Sequence, residues 1–140
     1  MDIKIRFAKK DDAQGLAELD RIAHKELENW VPNNKADFMK IIRKFKDSLV
    51  VAKKDNNIIG YLSLRLDKDS GWIWIENIYI INSLRKKGIA KDMIKKATHY
   101  LRRKHSRRIV LLTPDRNLAI FSKLGFKKTM NFMEFIGERK

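Results

Sequence analysis

A mixed α/β (α+β) fold, in a single domain spanning residues 1–140, is predicted by three features of this chain. A long apolar run from Trp72 to Ile81 ends in a basic, glycine-containing turn and re-emerges as a periodic helical segment from Ile89 to Leu101. Shorter apolar segments of strand length stand before and after that unit. Hydrophobic residues make up 44% and charged residues 35% of the 140 positions, which is globular composition and enough chain for one real core.

Taken in order, Ile3, Ile5 and Phe7 alternate with Lys4 and Arg6 and predict a first strand. Asp11, with Gln14 three residues on, reads as a capping box for a helix. Leu16, Leu19, Ile22, Ala23 and Leu27 carry that helix to about Asn29 at the spacing of one helical face. Trp30-Val31-Pro32-Asn33 breaks it. Asn34 then caps a second helix whose inner face is Phe38, Ile41, Ile42 and Phe45. Leu49 to Lys53 and Ile58 to Leu66 read as two strands joined by a tight turn at Asn56-Asn57, and Asp67 to Gly71 turns the chain into the long strand. Beyond the third helix, Ile109 to Leu112 is apolar on both faces, as at the centre of a sheet. Leu118 to Leu124 makes a short helix stopped by Gly125, and Phe126 to Ile136 supplies one or two closing strands. The order is β-α-α-β-β-β-α-β-α-β, a central sheet of about six to seven strands flanked by about four helices.

Several classes are set aside by composition. No apolar stretch has the length to span a bilayer, and the N-terminus has no signal-peptide core. There is no cysteine, and His24, His99 and His105 are not spaced as metal ligands, so no metal is expected. A cytoplasmic protein with no membrane partner is the expectation.

The formal net charge is +15, and residues 82–110 hold most of it: 11 basic residues against Asp92 alone. Residues 1–40, with 8 basic and 8 acidic groups, are neutral. A polyanion on one side of the molecule fits that placement, and so does a solvated helix face.

The basic turn is Arg85-Lys86-Lys87-Gly88-Ile89-Ala90. The first amides of a helix lack intrahelical partners, and the macrodipole adds partial positive charge there. Gly88 and Ala90 are small enough for a phosphate to approach the backbone. A strand, this turn and a helix together make a seat for a phosphorylated ligand.

These residues carry a family resemblance. Ile80 to Ala90 resembles motif A of the GNAT superfamily of N-acetyltransferases, Arg/Gln-x-x-Gly-x-Gly/Ala after an apolar strand. Phe121-Ser122-Lys123-Leu124-Gly125-Phe126 resembles its second marker, an aromatic followed by x-Lys-Leu-Gly-Phe. The likeness covers essentially the whole chain. It implies acetyl-coenzyme A as cosubstrate, with the pyrophosphate held by the turn at Arg85, Lys86, Lys87, Gly88, Ile89, Ala90 and Lys91. It also implies a pantetheine arm lying along the backbone of Ile78, Tyr79 and Ile80.

Transfer to an amine requires removal of a proton, since a primary amine is mostly charged at neutral pH. Glu76 interrupts an apolar strand, where burial would raise its pKa, and it matches a position at which some family members carry a catalytic glutamate. Pairing with a nearby Lys or Arg is its alternative role. Phe121 departs from the family pattern, which often has tyrosine there to protonate the leaving thiolate. Water, Ser122, Tyr79, Tyr100 and the departing amine are the other proton sources in view. The loop between the first two helices borders the acceptor in the family, which assigns Trp30, Glu26 and Glu28 to the acceptor side, with Asp37 nearby; a solvated acidic face is the competing reading.

The resemblance implies an acetyl-coenzyme A-dependent N-acetyltransferase working by direct transfer in a ternary complex. The acceptor is a small-molecule amine or a protein or peptide amine, and the chain is a monomer or homodimer. Two other classes stay open: a nucleic-acid- or ribosome-associated module using the basic segment 102–108, and a coenzyme A-binding regulatory protein with impaired catalysis.

Overall fold

Alternation along Ile3–Phe7 places Ile3, Ile5 and Phe7 against the core and forms β1. The computed structural model describes residues 2–28, 31–105 and 107–138. After β1 come α1 (Ala13–Leu27), α2 (Lys35–Lys44), β2 (Leu49–Lys54), β3 (Asn57–Leu66), β4 (Ile73–Ile80), α3 (Ile89–Lys104), β5 (Ile109–Leu111) and α4 (Leu118–Lys123). The sheet runs β1-β2-β3-β4-β5; the first four strands are antiparallel, and β5 joins β4 in parallel after the α3 crossover.

Helices cover both faces. Val50, Leu62 and Ile73 meet Met93, Ala97 and Leu101 of α3 on one side. Val51 and Tyr61 meet Leu16, Leu19 and Phe38 of α1 and α2 on the other. Leu16, Leu62, Met93 and Leu101 are completely buried, each removing its apolar surface from water at roughly 25 cal/mol per Å².

The α/β class and the helix order are as predicted, and several details are corrected. The sheet has five strands among the described residues rather than six to seven. Phe126 to Ile136 takes up no strand: Phe132, Met133, Phe135 and Ile136 are each more than 80% exposed, and none pairs with the sheet. β5 is therefore an edge strand, three residues long and half-buried, not a central one. Asp12, not Asp11, stands at the N-cap of α1, and its side chain makes no cap bond to that helix: its carboxylate accepts the Lys9 amide at 2.7 Å, closing the short 3-10 turn Lys10–Asp12 before α1, while holding Arg6 Nη1 at 2.7 Å. α1 ends at Leu27, where Glu28 turns left-handed (φ 50°) and donates its amide to His24. The β2–β3 turn lies at Asp55-Asn56, one residue earlier than predicted, with Asp55 at φ 56°.

No described helix is long and apolar enough to cross a membrane. No group of potential metal ligands is present among the described residues.

Candidate active site

β4 and β5 separate, and the site lies where they do so. The parallel pairing covers Ile73–Ile75 of β4 against Ile109–Leu111 and stops. From Glu76 to Ile80, β4 keeps β3 on one edge and has no neighbouring strand on the other among the described residues. A backbone edge of this kind offers a row of donors and acceptors to an extended ligand. Ile78, 38% exposed, faces out at this opening, while Tyr79 and Ile80 are buried.

The edge leads into the glycine turn. Lys86 (φ 64°) and Gly88 (φ 82°) are both left-handed, a conformation that suits Gly88 and strains Lys86. Gly88 caps α3, so its amide and those of Ile89, Ala90 and Lys91 are the unsatisfied donors of the helix start. A Cβ placed at Gly88 meets nothing within 4 Å. The space over these amides is open, and the Lys86, Lys87 and Lys91 side chains around it are exposed. Ile89 points inward and anchors the first turn in the core.

Arg85 does not reach outward with the lysines. Its Nε donates to the Ile80 carbonyl at 2.8 Å, and its two terminal nitrogens hold the two Glu26 oxygens at 2.8 and 2.7 Å. Tyr79 donates its hydroxyl to the same carboxylate at 2.7 Å. Burial and this hydrogen bond push the Tyr79 hydroxyl up to about 12. The Arg85 and Tyr79 hydrogen bonds together hold Glu26 below the usual carboxylate range. The charge of Glu26, expected on the acceptor side, is thus answered within the protein, against the first residue of the glycine turn.

Glu76 sits at a bulge. The β3–β4 register jumps from Ser63–Asn77 to Leu64–Ile75, which leaves Glu76 as the inserted residue. The sequence expectation of a buried carboxylate is corrected: the Glu76 side chain is 41% exposed, and its Oε1 accepts from Arg65 Nε at 3.1 Å. By the alternation of β3, Arg65 shares a face with Tyr61, so Glu76 opens on the α1 side of the sheet.

Among the remaining expected residues, Trp30 lies outside the described residues. Glu28 is exposed at the end of α1, and Asp37 is engaged in the cap of α2 with Asn34. Phe121 packs edge-on against Phe126 at 5.8 Å, and Tyr100 stacks on Phe7 of β1, at the far side of the sheet from the opening.

One residue of this region escaped the sequence reading. Asp20 is 2% exposed; it accepts the Tyr61 hydroxyl at 2.9 Å and the Asn33 amide at 2.8 Å, fastening the loop after α1 to the sheet. Its signal was a carboxylate falling on the apolar stripe of α1, four residues after Leu16.

The model of the acetyltransferase (GNAT) family matches residues 13–126, a span from α1 through the Lys-Leu-Gly-Phe marker. The chain belongs to the GNAT acetyltransferase family. Among curated proteins, none matches it. Solved structures share its fold at low identity. An aminoglycoside acetyltransferase from an uncultured soil metagenomic sample, in complex with sisomicin, aligns at TM-score 0.73 and 16% identity, covering 99% of this chain and 97% of its own. A protein of Clostridium acetobutylicum described as a predicted acetyltransferase and solved with acetyl-CoA gives 0.66 and 17%, covering 96% of each chain. A ribosomal-protein-alanine N-acetyltransferase from Brucella melitensis biovar Abortus 2308 gives 0.66 and 17%, covering 99% of this chain and all of its own. In GNAT terms, the motif A turn and the strand before it are the two surfaces that meet at the opening.

Proposed function

We propose that this chain is an N-acetyltransferase that moves the acetyl group of acetyl-coenzyme A to a primary amine by direct transfer within a ternary complex. One observation carries the reading: the edge of β4 left unpaired among the described residues leads, through the short turn Asn82–Leu84, to an open helix N-terminus capped by left-handed Gly88. The two surfaces suit the two halves of that cosubstrate. The amides of Gly88, Ile89, Ala90 and Lys91, with Arg85 bracing the turn and Lys86 and Lys87 beside it, match a pyrophosphate. The backbone of Ile78, Tyr79 and Ile80 matches the amides of a pantetheine arm.

Acetyl-coenzyme A supplies the activated acetyl group; the chain supplies position and proton traffic. Glu76 takes the proton of the acceptor ammonium, directly or through one water, and its exposure on the opening gives it access to solvent. Arg65 orients it. Phe121 has no proton to offer, and the Tyr79 hydroxyl is committed to Glu26, which leaves solvent, Ser122 or the acceptor amine to protonate the departing thiolate. The acceptor enters beside the loop after α1, where Asp20 fixes Asn33 and Glu28 is exposed. Relatives of the same fold described as acting on an aminoglycoside and on a ribosomal-protein alanine support an amine acceptor.

The test is turnover of acetyl-CoA against pooled amines and peptides, read as thiol release, with Glu76→Gln as control. Calorimetry showing no binding at millimolar acetyl-CoA would sink the proposal. Binding without turnover of any amine would move the chain to the class of coenzyme A-binding regulators.

A further inference from the structure

A second cluster lies at the opposite end of β4 from the glycine turn. Arg108 sits over the Trp72 ring at 4.4 Å, Trp72 lies 6.4 Å from Trp74, and Arg65 stands over Trp74 at 5.8 Å. Guanidinium and indole groups therefore form one continuous ladder along the sheet. Beside its first rung is a cavity of about 480 Å³ bounded by Ser70, Gly71, Trp72, Arg107 and Arg108. Arg107 is braced there by its hydrogen bond to the Gly71 carbonyl at 3.1 Å. Two cations, an indole and a hydroxyl line this space, and among the described residues no carboxylate does. Asp67, in the adjoining turn, is directed onto Ser70 and the Asp69 amide. Arg102 and Arg103, exposed on the last turn of α3, make no ion pair among the described residues and lead straight into this loop.

We propose that this surface docks single-stranded nucleic acid. A nucleotide presents a flat base and an anion, and the cavity presents a flat ring with a stacked guanidinium and a second cation. The exposed guanidinium of Arg108 offers its outer plane to a base, and Arg107 meets the phosphate. Arg102 and Arg103 extend the positive charge beyond one nucleotide, which favours a polymer over a mononucleotide. An acidic peptide has no use for the ladder of rings. A membrane surface calls for protruding apolar side chains, whereas Trp72 and Trp74 lie half-buried along the sheet. Arg65, the last rung, also holds Glu76, so the ladder borders the acetyl-transfer site; the docking surface itself is the cavity at Trp72, Arg107 and Arg108, and it is tested without acetyl-CoA.

The experiment is fluorescence anisotropy of a labelled 12-nucleotide single-stranded RNA of mixed sequence with the full chain, without acetyl-CoA. Micromolar binding is expected, with a log–log salt slope of about −2, equivalent to roughly three phosphate contacts on a single strand. Trp72→Ala and Arg108→Ala should each weaken it at least about tenfold, and Trp72→Phe no more than about threefold. Arg107→Glu should weaken it at least about tenfold, whereas Lys95→Glu, the same two-unit change in net charge placed on α3 rather than in the loop after it, should cost less than about twofold. Circular dichroism checks that each variant is folded, and Arg108→Ala, on the exposed rim, decides the matter if Trp72→Ala is not. Unchanged binding by Arg108→Ala overturns the proposal, and so does an equal loss on Lys95→Glu. Competition by polyglutamate, by phosphatidylserine vesicles or by a free mononucleotide as effective as unlabelled RNA overturns it as well.

Discussion

Glu26 and Arg85, 59 positions apart in sequence, meet through both carboxylate oxygens and two guanidinium nitrogens. The pair ties the last turn of α1 to the first residue of the glycine turn, with the Tyr79 hydroxyl as a third member. It joins the side of the molecule expected to receive the acceptor to the side expected to hold the phosphates. Both side chains are roughly one-third exposed, so the pair contributes orientation more than stability. A double-mutant cycle with Glu26→Gln and Arg85→Gln, measured by urea denaturation, should give a coupling no larger than that of an ordinary surface ion pair. A coupling as large as that of a buried ion pair would show instead that the pair holds the fold.

Gly88 separates folding from binding. Its positive φ (82°) penalises any other residue, and an added Cβ touches nothing, so Gly88→Ala should destabilise the chain by about 1 kcal/mol. The same methyl group stands in the space over the helix amides. Acetyl-CoA affinity, read by calorimetry, is expected to fall more than about tenfold. Loss of stability with unchanged affinity would remove the phosphate from this turn.

How much of this was legible in the sequence depends on the range of the contact. The turn was readable because glycine, its basic neighbours and the helix after it are local, and the structure keeps them together. Arg65 beside Glu76 was not, because the bulge that inserts Glu76 is a property of the β3–β4 register. Glu26 was legible as an acidic residue near a loop, but its partner Arg85 arrives from a different element through the fold. Phe126 to Ile136 shows the converse failure. Its alternation meets the local requirement for a strand, yet a strand also needs an edge of matching length, and β5 offers three residues.

Glu76 gives the sharpest catalytic test. Its pair with Arg65 is exposed, so Glu76→Gln should leave unfolding free energy within about 1 kcal/mol of the parent. As the base, its loss should lower amine turnover by about 10²-fold or more at neutral pH. The deficit should shrink as pH rises and the acceptor deprotonates in solution. A variant with parental turnover would reduce Glu76 to a partner of Arg65.

Asp12 sets an acid limb of stability. Burial on its own raises a carboxylate, but here the hydrogen bonds from Arg6 and the Lys9 amide outweigh it and hold Asp12 below the usual range. A depressed folded pKa means that the charged form stabilises the native state. That contribution is complete above the unfolded carboxylate value, near 4, and is lost as pH falls through the lower folded value. Asp12→Asn keeps an acceptor for the Lys9 amide and removes the charge facing Arg6 and Lys53. At pH 7 it should cost about 2 kcal/mol, because a nearly buried, charge-assisted contact is broken. Thermal denaturation between pH 2 and 7 should then show a flatter acid limb for the variant, the two curves converging at the lowest pH. Parallel curves over that whole range would assign the acid sensitivity to other carboxylates and leave Asp12 with a capping role alone.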